Sequence, residues 1–346
     1  MQSSFAEAEK RSDDEKAAGN ALCIYKAFED VWAFFCPSKP CLSLSIEGII
    51  SSVLRGLGDS KSPMYFIAAA CVTNIVLDFV FMGALGLGPV GAALGTTLSQ
   101  AVSVVIALVY LRRTGGVALT RASFRPRRDV MWRLLSIGVP IALQDGFIQI
   151  AFIVITVIAN RRGLTDAAAV GIVEKVISFV FLVPSSMLSA VSAIGARNIG
   201  AGKPQRARET LRYAACIAVG FGIAVSVLAQ FIAEPVVGLF TSDADVITAG
   251  GQYMRGYIFD CIFAGVHFSF SGYFCACGKS GISFLHNIVS ITLVRIPCVY
   301  AASRLFPATL FPMGLATAAG SLVSVVICLA AYALIRRRER AMETAG

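Results

Sequence analysis

Charge is scarce in this sequence. Only 15% of its 346 residues are Asp, Glu, Lys or Arg, while 56% are hydrophobic. Soluble globular chains carry about 25% charged residues, so a globule with an ordinary water-facing surface is excluded. Enzyme motifs are missing too. There is no nucleophile elbow, P-loop or HExxH, so the chain is read as a non-enzyme and an ATP-driven pump is disfavoured. The first segment, Met1–Asn20, is charged and has no apolar run, which does not fit a secretory signal. Ten cysteines suggest a disulfide framework by count alone, but Cys71, Cys216, Cys261, Cys298 and Cys328 lie inside apolar runs. There cysteine acts as a small hydrophobe. Cys275-x-Cys277 has the wrong spacing for a CxxC redox or zinc motif, so no metal centre or other cofactor is expected.

What the sequence has instead is long apolar runs. A helix of about 20 apolar residues crosses a bilayer core. Eight stretches qualify: Pro63–Leu85, Val90–Leu111, Leu134–Ala159, Ala167–Ile194, Ala214–Phe240, Tyr257–Cys277, Ile282–Ala302 and Met313–Ile335. A ninth, Cys41–Leu54, is short and carries Glu47. The expected class is an all-α polytopic membrane protein with about eight to nine transmembrane helices.

The net charge of +9 would suggest nucleic acid in a soluble protein. Its placement argues otherwise. Basic residues crowd alternate connections: Arg55 and Lys61, the arginines from Arg112 to Arg133, Arg197 to Arg212, Lys279, and Arg336 to Arg340. The intervening loops hold only Arg161, Arg162 and Arg304. The Lys/Arg-rich side of a membrane protein is cytoplasmic. This places the C-terminus and the Arg112–Arg133 connection in the cytoplasm and makes the lipid bilayer, not nucleic acid, the surrounding partner.

The longest polar connection, Arg112–Asp129, separates a short helix group from a group of six. The expected layout is an N-terminal segment 1–48, a partial first lobe 49–113, an inter-lobe connection 114–130, a six-helix lobe 131–340 and a tail 341–346. Gly91-Ala92-Ala93, Val102–Ile106 and Arg112-Arg113 resemble Gly314-Leu315-Ala316, Val323–Ile327 and Arg336-Arg337. Both copies end on the basic side, as in parallel transporter repeats. Equal halves would need about three more helices before the first group.

Leu54-Arg55-Gly56-Leu57-Gly58-Asp59-Ser60-Lys61-Ser62-Pro63 resembles the loop before the fifth helix of the multidrug and toxic compound extrusion (MATE) transporters. Ala190–Pro204, with Arg206-Ala207-Arg208-Glu209, resembles that family's loop after the eighth helix. Asn74-Ile75-Val76-Leu77-Asp78 resembles its fifth helix. The resemblance runs from about Ile49 to Arg340. It implies a monomeric two-lobe bundle with twelve helices in the family and an incomplete first lobe here. It also implies export of small organic cations or drugs by an antiporter of the cell membrane, coupled to inward Na⁺ or H⁺.

Asn74 and Asp78 are four apart and share a helix face. Asp78 lies about fifteen residues beyond Pro63, roughly 23 Å along a helix. A carboxylate inside a membrane is expensive and marks ion or proton paths. The resemblance makes this pair the first-lobe ion-coupling site, with Thr96 as third member and Thr97 beside it. In the second lobe, Gln144, Asp145, Glu174, Asp260, His267 and Arg295 are ionisable or polar inside apolar runs. They admit two readings: structural ion pairs such as Asp260 with Arg295, or a second cation site. Two alternatives to the exporter stay open. One is a lipid-linked polysaccharide flippase, which needs a more basic interior than Lys175, Arg255 and Arg295 supply. The other is a non-functional truncated fragment, suggested by the mismatched start.

Overall fold

The computed structural model describes residues 48–55, 59–114 and 128–345. The segment before residue 48, the motif glycines Gly56 and Gly58, and most of the Arg112–Asp129 connection lie outside the described residues. All described secondary structure is helical, with no strand among the described residues. The reason is the solvent: in hydrocarbon each backbone N–H and C=O must be paired within its own segment, as a helix does.

The chain divides into two compact units, Met1–Arg125 and Pro126–Gly346. In the first, residues 48–55 form α1. Helix α2, Lys61–Asp78, continues as a π-helical stretch, Phe79–Ala84, and α3 covers Gly88–Thr114. The second unit begins with α4 (Arg128–Asn160), α5 (Leu164–Val180), α6 (Leu182–Gly200) and α7 (Pro204–Gly238). It continues with α8 (Ala244–Tyr257), α9 (Asp260–Ala276), α10 (Ser280–Ser290), a π-helical stretch Ile291–Arg295, α11 (Ile296–Leu305) and α12 (Phe311–Ala345).

Among the described residues, seven helices are long and apolar enough to cross a membrane, with α5 and α6 forming one of them. An eighth span arises if α8 and α9, bent by 42°, count as one. The spanning windows are only 6–33% buried, so most of their apolar side chains face outward. Phe79, Phe179, Phe231 and Leu239 are all more than 70% exposed. A surface of that kind requires lipid, and the protein is a multi-pass membrane protein.

Two boundaries differ from the expectation. The apolar run from Tyr257 is preceded by α8, which has too many polar residues to read as a span. Asp243 caps it, accepting the Asp245 and Val246 amides at 3.0 and 3.4 Å. Helix α7 begins at Pro204 rather than near Ala214, because its charged first turns are helical outside hydrocarbon. Hydropathy registers the lipid-buried part of a helix, not its ends. The end of the ninth candidate run is helical from residue 48; residues 41–47 lie outside the described part.

Glycine sets two of the sharp turns. Gly202 and Gly278 have φ of +71° and +69°, the left-handed conformation that favours glycine. After α6, Lys203 N–H bonds Asn198 C=O at 2.9 Å and Gly202 N–H bonds Ile199 C=O at 3.0 Å. After α9, Lys279 N–H bonds Phe274 C=O at 2.8 Å and Gly278 N–H bonds Cys275 C=O at 3.0 Å. Both are Schellman closures, which satisfy the last helix carbonyls.

Helix α9 is the axis of the second unit, packed by α6, α7 and α12. Its surroundings form two apolar clusters. One gathers Ile155, Val173, Val237, Tyr253, Tyr257 and Met313; the other gathers Val191, Leu211, Phe270, Phe274, Cys328 and Ile335. Along α9, α10 and α12 the positions between them are polar and buried: Asp260, His267, His286, Ser290 and Ser324. The unit thus has a polar layer at mid-depth.

Arg162 fastens one end of this unit. It pairs with Asp166 at 2.7 Å. The same guanidinium donates to the carbonyls of Ser303, Phe306, Pro307 and Thr309 at 3.0, 3.1, 2.9 and 3.3 Å. These include carbonyls that end α11 and would otherwise lack partners. We expect Arg162→Ala to cost about 2–3 kcal/mol, since a charged hydrogen-bond network is lost. Arg162→Lys should not restore it, because an ammonium cannot fork. Thermal unfolding of the two variants in detergent checks both statements; a wild-type melting curve for Arg162→Lys contradicts the second.

Candidate ion and substrate sites

In the first unit α2 and α3 pack closely because α3 carries Gly91 and Gly95. A Cβ at Gly91 would lie 3.0 Å from the Phe81 Cβ, and one at Gly95 would collide with Asp78 Oδ1. Small residues four apart let membrane helices approach in this way. The Asp78 carboxylate therefore rests on the α3 backbone. Its Oδ1 and the Nδ2 of Asn74, one turn earlier, are buried with no hydrogen-bond partner. Buried polar atoms are nearly always paired, which makes these two orphans on one helix face a candidate ligand site. Asp78 is also the last α-helical residue before the π-helical stretch. Such stretches occur often at functional sites.

Thr96 is placed differently. It is exposed, and its hydroxyl bonds the Ala92 carbonyl at 2.9 Å; Thr97 bonds Ala93 in the same way at 2.8 Å. The structure thus places Asn74 and Asp78 together and gives the Thr96 hydroxyl to its own helix.

At the start of α2, Asp59 makes a cap. It accepts the Lys61 and Ser62 amides at 3.1 Å each, the Ser62 hydroxyl at 2.6 Å and the Tyr110 phenol at 2.9 Å. The Ser62 hydroxyl, with the Ser62 amide, Tyr110 and the Lys61 amide, holds its carboxyl below the usual carboxylate range. The sequence motif around Asp59 is a joint between α2 and α3.

The second unit gathers several of its candidates. Arg295 Nη2 pairs with Asp260 Oδ2 at 3.2 Å and donates to the Tyr257 hydroxyl at 2.7 Å. Its guanidinium lies 5.6 Å from the Tyr257 ring centre and 5.7 Å from that of Phe152. Gly320 on α12 leaves it room: a Cβ there would lie 2.8 Å from the Arg295 Cβ. Glu174 accepts from Thr156 at 3.4 Å, and its Oε1, like Asp260 Oδ1, is buried without a partner. Arg295 closes the second π-helical stretch. Each of the two π-helical stretches among the described residues therefore borders a buried ionisable group.

Deeper along α9, His267 stacks on Phe268 with ring centres 4.8 Å apart and meets His286 edge-on at 5.7 Å. His286 bonds Ser271 and Ser324, each at 2.9 Å. A cavity of about 30 Å³ touches His267, Asn287, Ser290, Arg295, Ser321 and Ser324, room for a water molecule. Gln144 accepts from Ser283 at 2.8 Å, while Asp145 is exposed. Neighbouring residues on a helix point about 100° apart, which separates these two.

Sequence reasoning missed His286, Thr156 and the site role of Tyr257. One signal was available: His267 and His286 are the chain's only two histidines, and both fall in apolar runs.

Similarity to known proteins bears on the family and the fold. The MatE family model matches residues 140–301. The chain is 29% identical over 248 residues to the probable multidrug resistance protein YpnP of Bacillus subtilis, covering 72% of this chain and 56% of YpnP. It is 25% identical over 263 residues to the multidrug export protein MepA of Staphylococcus aureus, covering 75% of this chain and 58% of MepA. The chain thus spans little more than half the length of these relatives. A MATE crystal structure in complex with MaL6 superposes with a TM-score of 0.80 at 21% identity, covering 88% of this chain and 68% of that one. The Vibrio cholerae MATE transporter VcmN, as a mutant, gives 0.78 at 18% identity, covering 94% and 76%. The family model, the relatives and the fold coincide in likening this chain to the MATE transporters.

Proposed function

We propose that this chain is the larger part of a secondary exporter of drug-like organic cations, driven by inward Na⁺ or H⁺. The observation that carries this reading is the pair of orphaned atoms, Asn74 Nδ2 and Asp78 Oδ1. A carboxylate seated on a helix backbone inside a membrane is costly when unpaired, and a cation relieves that cost. A ligand that favours one conformation shifts the population toward it. Ion binding at Asp78 then biases one state of the transporter and substrate biases the other.

The second unit contributes a related site, with Asp260 paired to Arg295 and Glu174 held by Thr156. Its interior cation is paired with a carboxylate, which favours organic cations over the anionic substrates of a polysaccharide flippase. The basic connections and the C-terminus face the cytoplasm by the loop-charge rule.

Asp78→Asn removes the charge and keeps the shape. Efflux of a fluorescent organic cation from cells carrying this variant is expected to fall to background. Export that continues unchanged in Asp78→Asn would end the mechanism.

A further inference from the structure

Three connections lie at the end of the second unit opposite Lys203, Lys279 and Arg337. They are the turns between α4 and α5, between α7 and α8, and between α11 and α12. Within a turn of all three, the only Lys or Arg residues are Arg161, Arg162 and Arg304. These are the exceptions to the loop-charge bias. The fold brings all three to one place, although Arg304 is more than 140 residues from the others. They line a single cavity of about 350 Å³, together with Tyr300, Ser303 and Pro307. That volume falls within the range of ligand pockets, roughly 300–1,000 Å³.

A plain structural purpose accounts for one of the three. Arg162 is consumed by Asp166 and by four backbone carbonyls. Those carbonyls include the negative end of α11, so Arg162 also satisfies the helix dipole there. Arg161 and Arg304 are left over. Both are exposed; Arg304 stacks over the Tyr300 ring at 5.6 Å. That contact holds a guanidinium in place without neutralising it. Two uncompensated guanidiniums on one concavity form a fork geometry suited to oxyanions. Leu164, Leu305 and Phe306, each within two residues of the lining in sequence, are apolar and 74%, 71% and 52% exposed. The cavity therefore lies at a boundary between water and lipid.

We propose that this cavity binds a phosphate oxyanion, held between Arg161 and Arg304, presented either by a phospholipid headgroup or by a free solute. Such binding weakens with ionic strength, since the charges are partly exposed.

The test uses the purified full chain in an uncharged detergent at low salt. The probes are short-chain phosphatidylglycerol and inorganic phosphate, each titrated with thermal unfolding as readout. Native mass spectrometry of retained lipid is a second measurement. Stabilisation by phosphatidylglycerol alone assigns the site to a lipid headgroup. Stabilisation by both probes assigns it to phosphate from either source. In Arg161→Gln and in Arg304→Gln the apparent affinity is expected to fall about tenfold each, while Arg337→Gln, at the opposite end, leaves it unchanged. The unliganded melting temperature reports whether the variants fold. No stabilisation by either probe, or equal binding in the Arg161→Gln/Arg304→Gln double variant, overturns the proposal.

Discussion

Arg295→Met is expected to destabilise the second unit by about 3 kcal/mol or more, because it leaves a buried carboxylate without its cation. Asp260 is fully buried and the Arg295 side chain is only 12% exposed. Methionine fills much of the arginine volume, so the loss is one of charge rather than packing. It strands Asp260 Oδ2 and the Tyr257 hydroxyl, and removes the guanidinium from between the Tyr257 and Phe152 rings. Interhelical hydrogen bonds in membranes average only about 0.6 kcal/mol, so hydrogen bonding alone does not reach this figure. The unpaired charge does. The companion variant separates the two effects: Asp260→Leu/Arg295→Met removes both charges and should recover most of the loss, as replaced buried pairs commonly do. Thermal unfolding in detergent reads both proteins. If Arg295→Met melts with the parent, the ion pair contributes nothing and Arg295 is free for another role.

The second large effect lies where α8 crosses α12. Gly256 and Gly314 face each other backbone to backbone. A Cβ on Gly314 would overlap the Tyr253 carbonyl and lie 2.8 Å from the Tyr257 nitrogen; one on Gly256 would lie 2.9 Å from the Leu315 nitrogen. Backbone cannot rotate away as a side chain can, so Gly314→Val must push the helices apart. The expected cost is about 3 kcal/mol, at the upper end for overpacking. The consequence reaches the site, because the displaced segment carries Tyr253 and Tyr257, and Tyr257 is bonded to Arg295. A control has the opposite sign. Gly220 on α7 has nothing within 4 Å of an added Cβ, so Gly220→Ala should stabilise by about 0.5–1 kcal/mol. Equal melting temperatures for Gly314→Val and the parent would show that this crossing yields freely.

Several parts of the site were legible in the sequence. Asn74 and Asp78 stood out because a carboxylate is rare in an apolar run, and their spacing put them on one face. The pairing of Asp260 with Arg295 was one of two open readings, and the geometry shows the pair while leaving Asp260 Oδ1 and Glu174 Oε1 unmatched. The seats beneath these groups were not legible. Gly95 and Gly320 look like any glycines in a string of small residues, and only packing shows that one admits Asp78 and the other Arg295. In both units the ionisable group sits at the edge of a π-helical stretch, and a glycine of the neighbouring helix makes room for it. The sequence repeat between α3 and α12 hinted at such kinship but did not locate it.

The sequence by itself determined the solvent, the secondary structure and the number of spans in the second unit to within a bent pair. Those properties are sums over about 20 neighbouring residues, and a bilayer permits few answers to such a sum. The tertiary structure alone decided which polar groups meet. Arg161, Arg162 and Arg304 were three scattered exceptions to a charge rule until the fold gave them one cavity. His286 was an unremarked residue until α9 and α12 closed around it. Contacts of this kind depend on how each helix is rotated and where a glycine lets two backbones touch, and neither is a local property of the chain.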